Sequence, residues 1–472
     1  MKKIIIILFQ ILLISTLVSC KTNKVTVTFD SNGGSLVEKQ IIEEGKFVVK
    51  PADPIKDGET FSGWYFDNDG NNEVVFPYYP TKNETLYASW GIVSGLVISK
   101  VYTASSMDNN CIEIYNPTSN NINLSQYSIR FYQNGSTTVM KDYTVNLSGT
   151  LSSESSFLIS TNSATVESIN QKSDFKIDNY LPFNGNDAIG LFKSNKLLDA
   201  VGFIGQDVDF SKNLTLIRVG EPNDFQPSNI YTSTKFISYV PECFEYLKNF
   251  DYEIKTIEDI LKGPRLEDKY LTMPYVETGS TTIGGGGAET ATLGGIADGD
   301  TATFSFPSRT IIGGSSMRYY YLNTPEVNGG TVVHQPWGYV ASKYNKEYLL
   351  NNASSKLLQV QSLKGVQTTE GYGRCLGLVW INGYLSQFLI AAEGLSVVSG
   401  NYGTADIAMN YKNIPYLTFL RFAESNAIEH GWGVHGYPTK TDGEKSPDWN
   451  YVTNKTATQS PVWVPHNKLP WQ

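Results

Sequence analysis

Short stretches of alternating apolar and polar residues, separated by turn-forming residues, recur through the first half of this chain. Val25–Phe29 is one such stretch and is followed by the turn sequence Asp30–Gly34; Cys111–Tyr115 is another and ends at Asn116-Pro117. A period of two is the pattern of strands with one buried face, and Gly, Asn and Pro form the turns between such strands. Since 472 residues are too many for one core, the sequence predicts a multidomain, mainly β protein.

The first nineteen residues have the features of a secretory signal. Lys2 and Lys3 form a basic start, and an apolar run extends from Ile4 to Val18. Cys20 directly follows Leu-Val-Ser, which resembles the lipobox of bacterial lipoproteins. The resemblance implies removal of residues 1–19, acylation of Cys20 and a membrane-anchored protein that faces outside the cell. An uncleaved membrane anchor is the alternative, although the run is short for a spanning helix.

The charge balance excludes a broad electrostatic attraction to polyanions. The formal net charge is −9, so any affinity for nucleic acid must come from a local site. Cys111, Cys243 and Cys375 are widely separated and have no metal-binding spacing, which predicts buried free thiols. The four histidines fit no zinc motif either.

Residues 24–90 form the first predicted domain. Its sequence contains TFDSNGG near the start, GWYFD in the middle and TLYASW at the end. These motifs resemble the Listeria–Bacteroides (internalin B-type) repeat of bacterial surface proteins. The resemblance implies a small β-grasp-like fold, with the role of the module left open between spacer, adhesive patch and support.

Residues 93–266 form the second predicted domain. Many short strands with regular turns predict a β-sandwich. The motifs EIYNPT, NLSQYSI and NDAIGLF resemble the lamin-tail domain, which implies an immunoglobulin-like fold. No convergent acid–base set is evident, and Glu113 and Asp187 are interpreted as polar groups of turns and strand ends. A binding or positioning role is therefore expected for this domain.

The third predicted domain covers residues 275–440 and is followed by a tail, 441–472, to which no role is assigned. Strand patterns alternate with three amphipathic helical patterns, which begin near Trp337, Leu385 and Pro415. About five strands with three helices predict an OB-fold barrel with packed helices.

Three groups of residues in this domain are each common in proteins, but their order along the chain is informative. Asp298-Gly-Asp300-Thr301 comes first, then a strand with Arg318 that ends in Asn323-Thr324-Pro325-Glu326, and finally Tyr372-Gly-Arg374. Arginine forks match phosphate oxygens, and carboxylates hold a hard cation. The order resembles the staphylococcal-nuclease (thermonuclease-like) family, over about residues 298–432.

That resemblance implies a role for each matching residue. Asp300 and the Thr324 carbonyl would bind Ca²⁺, together with the residue at 323. Glu326 would be the general base that activates water, and Arg318 and Arg374 would hold the phosphate. The implied activity is hydrolysis of DNA or RNA phosphodiesters outside the cell.

Asn323 departs from the family pattern, which has a second calcium-binding Asp at this position. An amide oxygen still binds Ca²⁺, but the loss of one negative charge predicts weaker affinity. The alternative is a catalytically impaired, nuclease-like surface adhesin or nucleic-acid-binding lipoprotein. Between residues 280 and 440 the basic and acidic side chains balance, so binding of nucleic acid is expected to be modest and salt-sensitive.

Overall fold

The computed structural model describes residues 24–43, 45–56, 59–68, 72–92, 95–141, 143–272, 286–306, 316–327, 335, 337–350, 357–363, 374–400, 402, 405–435 and 464–472. The predicted signal peptide, the predicted lipidation site Cys20 and most of the predicted tail lie outside these residues. Strands hold more of the chain than helices do and form several sheets, which confirms the mainly β prediction. None of the helices in these ranges is long and apolar enough to cross a membrane.

The first domain is a four-stranded mixed sheet in the order β2-β1-β4-β3. β1 and β4 run parallel, and the two outer strands pair antiparallel with them. Alternate residues of β1 point to a small core in which Trp64 packs edge-on against Phe29 at 4.9 Å. The strands are β1 (Lys24–Asp30), β2 (Gln40–Glu43), β3 (Glu59–Tyr65) and β4 (Glu84–Ile92).

The second domain has two main sheets with a shared apolar core between them. One sheet has the order β12-β11-β6-β5-β15-β16 and the other β14-β13-β8-β9, with β7 and β10 forming a separate pair. The elements are β5 (Val97–Tyr102), β6 (Cys111–Asn116), β7 (Ile122–Asn123), β8 (Tyr127–Tyr132), β9 (Thr144–Asn146), β10 (Thr150–Leu151), β11 (Ser155–Thr161), α1 (Glu167–Lys172), β12 (Phe175–Ile177), β13 (Ala188–Lys193), β14 (Lys196–Val201), β15 (Thr215–Arg218), β16 (Phe236–Tyr239), α2 (Ile257–Ile260) and α3 (Asp268–Leu271).

The interpretation of Glu113 as a turn or strand-end group is wrong. Glu113 lies within β6 and is completely buried, where its carboxylate accepts a hydrogen bond from Lys100 at 2.7 Å. A buried charge is tolerated only when it is paired, so Glu113 has a structural partner that the sequence did not indicate. Asp187 is a turn residue as expected, because its carboxylate accepts the N–H groups of Asn134 and Asn184.

The third domain contains a seven-stranded sheet that curves into a half-barrel. Its strands follow the order β17-β22-β23-β20-β19-β18, and β24 pairs with β23; closure into an OB-fold barrel stays a prediction. Two further pairs, β21 with β25 and β26 with β27, lie outside this sheet. The strands of the domain are β17 (Ala288–Thr290), β18 (Thr292–Ile296), β19 (Thr301–Ser305), β20 (Ser316–Tyr319), β21 (Leu322–Asn323), β22 (Leu358–Gln361), β23 (Cys375–Ile381), β24 (Tyr384–Leu385), β25 (Val397–Val398), β26 (Asn410–Tyr411) and β27 (Ile414–Pro415).

Helices form at the three predicted places in this domain. The longest begins after Pro415 and ends at Gly431, whose φ of 64° is the left-handed conformation that terminates helices. The helices are α4 (Gly338–Lys343), which continues as a π-helix (Tyr344–Leu350), α5 (Ser386–Ala392), α6 (Ala405–Ala408) and α7 (Tyr416–His430).

The second and third domains share apolar packing. One buried cluster contains Ile217 and Tyr239 of the sandwich together with Trp380 and Tyr416 of the third domain. Cys111, Cys243 and Cys375 are buried free thiols, as predicted. Because the predicted boundary crosses a continuous core, experiments on the third domain require the full chain.

Candidate functional site

Asp300 lies in the turn between β18 and β19, and its side chain is fully buried. The Asp300 N–H donates to the Asp298 carboxylate at 3.1 Å, which fixes the turn. One carboxylate oxygen of Asp300 accepts the Thr324 N–H at 2.8 Å, and the other accepts a hydrogen bond from Arg318. Asp300 therefore joins the turn to the segment that carries the second part of the motif.

Arg318 brings the candidate ligands together. It lies on β20 opposite Thr301 of β19, and its guanidinium contacts three oxygens. Nη1 donates to Asp300 Oδ1, while Nη2 donates to Asn323 Oδ1 at 3.1 Å and to the Leu322 carbonyl at 3.2 Å. The side-chain oxygens of Asp300 and Asn323 thus converge on a single cation.

Glu326 and Arg374 lie at the same site. The Glu326 carboxyl is half-buried, and burial together with Asp298 raises its pKa, whereas Arg318 and Arg374 oppose the rise. The carboxylate is therefore within electrostatic reach of both guanidiniums. The main chain of Glu326 is fixed by a reciprocal pair of hydrogen bonds with Gln335, each 2.8 Å long.

Arg374 directly precedes β23 and is partly buried. Its Nη1 donates to Thr301 Oγ1 at 3.4 Å, which directs the guanidinium to the turn that carries Asp300. All six predicted site residues in this domain are therefore close together. Tyr372 and Gly373 of the motif lie outside the described residues.

Burial also shifts the pKa of the Asp300 carboxyl. Loss of solvent raises the pKa of its carboxyl, and the Arg318 guanidinium and the Thr324 N–H act in the opposite direction. The ion pair with Arg318 favours the charged form of this carboxyl, although water is excluded from it. Strongly perturbed pKa values of this kind cluster at functional sites.

The oxygen donors of the site suit a hard cation. Asp300, the Asn323 amide and the Thr324 carbonyl supply oxygens of the type that Ca²⁺ prefers. Within the described ranges, no group of three or more His, Cys, Asp or Glu side chains could hold a metal ion. The donor set therefore fits Ca²⁺ in chemistry but provides a single carboxylate.

Sequence reasoning missed Ser396, which is fully buried behind the site. Its hydroxyl accepts the Asn323 N–H at 3.1 Å, next to the pairing of β21 with β25. Tyr402 was also missed; it packs edge-on against Tyr320 at 4.8 Å, and Arg318 lowers its pKa against the larger effect of burial. No local motif surrounds either residue, since both reach the site through tertiary packing.

Comparison with known protein families identifies the first two domains. The Listeria-Bacteroides repeat domain matches residues 26–89, and the Lamin Tail Domain matches residues 93–205. Both predicted resemblances are confirmed, and the second match confirms an immunoglobulin-like domain.

The C-terminal region is similar to two endonucleases of Bacillus subtilis strain 168. The SPbeta prophage-derived endonuclease YokF is 34% identical over 151 residues, which are 31% of this chain and 45% of YokF. Endonuclease YncB is 31% identical over 151 residues, which are 31% of this chain and 64% of YncB. These similarities are consistent with the predicted nuclease-like C-terminus.

A further relative comes from Evansella cellulosilytica, and its provisional name describes a membrane protein. It is 40% identical over 76 residues, which are 15% of this chain and 11% of that protein. The chain therefore spans less than two thirds of each of these three relatives.

Proposed function

We propose that this protein is a nuclease whose C-terminal domain hydrolyses phosphodiester bonds of DNA or RNA with the help of Ca²⁺. The observation that carries the proposal is the network that joins Asp300, Arg318, Asn323 and Thr324, with Glu326 and Arg374 around it. The similarity of this region to two endonucleases supports the same activity.

The two arginines would bind the scissile phosphate. Hydrolysis places additional negative charge on the phosphoryl oxygens, and two guanidiniums can neutralise it as it develops. Arg318 is held by Asp300, Leu322 and Asn323, so its position is fixed before substrate binds. Little reorganisation of this side chain would then be required during the reaction.

Glu326 would act as the general base. A base whose pKa lies closer to the working pH accepts a proton more readily, and burial shifts Glu326 in that direction. Arg318 and Arg374 oppose the shift and favour the ionised carboxylate. The proton removed from water would therefore move to Glu326.

Asp300, Asn323 and the Thr324 carbonyl would hold Ca²⁺. When bound, the ion supplies positive charge that polarises the phosphate and orients the attacking water. Because Asn323 contributes an amide where the family pattern has a carboxylate, we expect weaker calcium binding than two carboxylates would give. Calcium is abundant outside the cell, where such a site would still function.

We also propose that the mature chain begins at an acylated Cys20 and remains on the outer face of the cell membrane. The lipobox-like sequence before Cys20 supports this location. The two N-terminal domains would then lie between the membrane and the nuclease domain. The membrane, through its lipid anchor, and the nucleic acid would be the partners.

The direct test uses the full chain from residue 21 onwards, without the lipid. We expect it to cleave single-stranded DNA in the presence of Ca²⁺, and a chelator to abolish cleavage. Glu326→Gln, which preserves size but not basicity, is expected to reduce the rate by about 10²–10⁴-fold. Cleavage that persists with chelator, or that is unchanged in Glu326→Gln, would contradict the mechanism.

A second candidate function is a nuclease-like domain that binds nucleic acid without cleaving it. Asn323 favours this alternative, because it leaves Asp300 as the single carboxylate among the three candidate metal ligands. Calcium-independent binding of DNA by a chain that shows no cleavage would support it.

A further inference from the structure

Residues 393–399, which we call the supporting segment, lie directly behind the candidate site. The segment contains β25, which pairs antiparallel with β21 so that Val397 lies opposite Asn323. The Asn323 N–H also donates to Ser396 Oγ at 3.1 Å. This segment therefore sets the main-chain position of Asn323, and with it the amide oxygen that contacts Arg318.

Two mostly buried side chains hold the supporting segment from its other side. Glu424 of α7 accepts the Val398 N–H at 2.9 Å, and His435 Nε2 lies 3.1 Å from the Ser396 carbonyl. These side chains are only 15% and 9% exposed, respectively. A carbonyl can only accept a hydrogen bond, so the proton of His435 is on Nε2.

The protonation states agree with these contacts. Burial lowers the pKa of His435 to about 4, so the ring is neutral near pH 7 and donates one hydrogen bond. Burial raises the pKa of Glu424 to about 7, and the Val398 N–H and Arg421 oppose the rise. Both the ionised and the protonated carboxyl retain an oxygen that can accept the Val398 N–H.

We propose that Glu424 and His435 are positioning residues for the phosphate-binding network and act on Asn323 through the supporting segment. Each acts on Asn323 indirectly: Glu424 through its contact with Val398, and His435 through its contact with Ser396. The proposal rests on the proposed nuclease function for its catalytic meaning. Its structural part, that these two side chains fix the main chain of Asn323, is separate from that function.

A shift of Asn323 would also affect Arg318. Its Nη2 donates to Asn323 Oδ1 at 3.1 Å, so a displacement of Asn323 would move both a candidate metal ligand and the contact that orients the arginine. Residues that hold a ligand in place typically contribute about 10–100-fold to metal affinity or activity. We therefore expect that loosening the supporting segment raises the calcium concentration needed for cleavage without unfolding the protein.

The experiment compares two pairs of variants in the full chain. His435→Leu and Glu424→Leu remove the hydrogen bonds to the supporting segment. His435→Gln retains a donor for the Ser396 carbonyl, and Glu424→Gln retains an acceptor for the Val398 N–H. The first readout is the calcium concentration that gives half-maximal cleavage of single-stranded DNA. The second is deuterium exchange of the peptide that covers residues 321–326, which requires no activity.

We expect the two Leu variants to need about 10–100-fold more calcium and to exchange faster at residues 321–326. The two Gln variants should restore both readouts towards the parent. His430→Leu and Glu429→Leu are the controls, because both residues are exposed at the end of α7, and neither readout should change. If a Leu variant does not fold, Ser396→Ala tests the same connection, because it removes the hydroxyl that accepts the Asn323 N–H and donates to the Val397 carbonyl but keeps the Ser396 carbonyl that His435 contacts.

Three outcomes decide the proposal. Unchanged exchange at residues 321–326 in every folded Leu variant and in Ser396→Ala would overturn it. Gln variants that are as impaired as the Leu variants would also overturn it, because the hydrogen bonds would not be the cause. A parent that cleaves nothing, but whose exchange responds and is rescued as expected, would remove the nuclease proposal and leave the positioning role established.

Discussion

Among the buried carboxylate–cation pairs of the described residues, one in the sandwich and one in the third domain differ in what surrounds them. In the sandwich, Lys100 and Glu113 are both fully buried, and the three N–H groups of Lys100 reach Glu113, the Tyr246 carbonyl and the Asn249 carbonyl. The Glu113 carboxylate also accepts hydrogen bonds from Ser156 and from the Lys248 N–H. Every strong donor and acceptor of this pair is satisfied within the protein.

The pair in the third domain is incomplete by comparison. Asp300 is fully buried, but the Arg318 side chain is 17% exposed, and the half-buried Glu326 carboxyl lies beside it. Among the described residues, no hydrogen-bond donor contacts the Glu326 carboxylate. A saturated buried pair stabilises the fold, whereas a pair with one open side can bind a ligand.

Removal of the cation from the buried pair of the sandwich should have the largest effect, a loss of stability. Lys100→Met leaves Glu113 buried without its cation and is expected to reduce the free energy of unfolding by about 3–5 kcal/mol. Denaturant unfolding of the full chain measures this loss of stability. If the fold survives, cleavage per folded molecule should be unchanged, and a loss of specific activity would contradict a purely structural role.

The next effect should appear in activity without a comparable change in stability. Arg374→Ala removes one guanidinium from the proposed phosphate site and should reduce kcat by about 10²–10³-fold. Steady-state cleavage of single-stranded DNA measures it. Arg265→Ala is the control, because Arg265 lies over Tyr384, away from the site, and should leave kcat unchanged.

The sequence located the candidate site because its residues occur in short ordered groups. The Asp300 turn, the strand from Arg318 to Glu326 and the start of β23 are each recognisable locally, and the sheet then brings them together. Ser396 could not be found this way, since it meets Asn323 only through the pairing of two-residue strands 73 positions apart.

Glu113 was misinterpreted for a related reason. Its cation lies on the adjacent strand, where a register irregularity between Ile98 and Lys100 precedes the pairing of Lys100 with Glu113. The remaining contacts of the pair come from residues 246–249, more than 130 positions away. An alternating strand pattern predicts which residues are buried but not which charges are neutralised.

A smaller effect is expected from pH. Burial raises the pKa of Asp300 and of Glu326, so both carboxyls take up a proton at a higher pH than exposed carboxyls do. Protonation removes a metal ligand and a base, and therefore kcat/KM at limiting calcium should fall as pH is lowered from neutrality. A pH–rate profile that stays flat down to the ordinary carboxyl range would contradict the assignment.

The smallest effect should come from an ion pair that resembles neither buried pair. Lys248 and Asp174 form a bridge at 2.8 Å in which both side chains are about one third exposed. Lys248→Met should lower the free energy of unfolding by less than about 1 kcal/mol, measured as for Lys100→Met. A loss as large as that of Lys100→Met would mean that burial does not distinguish the pairs.

A calcium titration of cleavage by the parent chain and by Asn323→Asp tests both the metal site and the catalytic activity. We expect both chains to cleave single-stranded DNA, and Asn323→Asp to reach half-maximal rate at lower calcium because a second carboxylate strengthens the site. A parent that is inactive at every calcium concentration, beside an active Asn323→Asp, would contradict the proposed nuclease function of the natural chain.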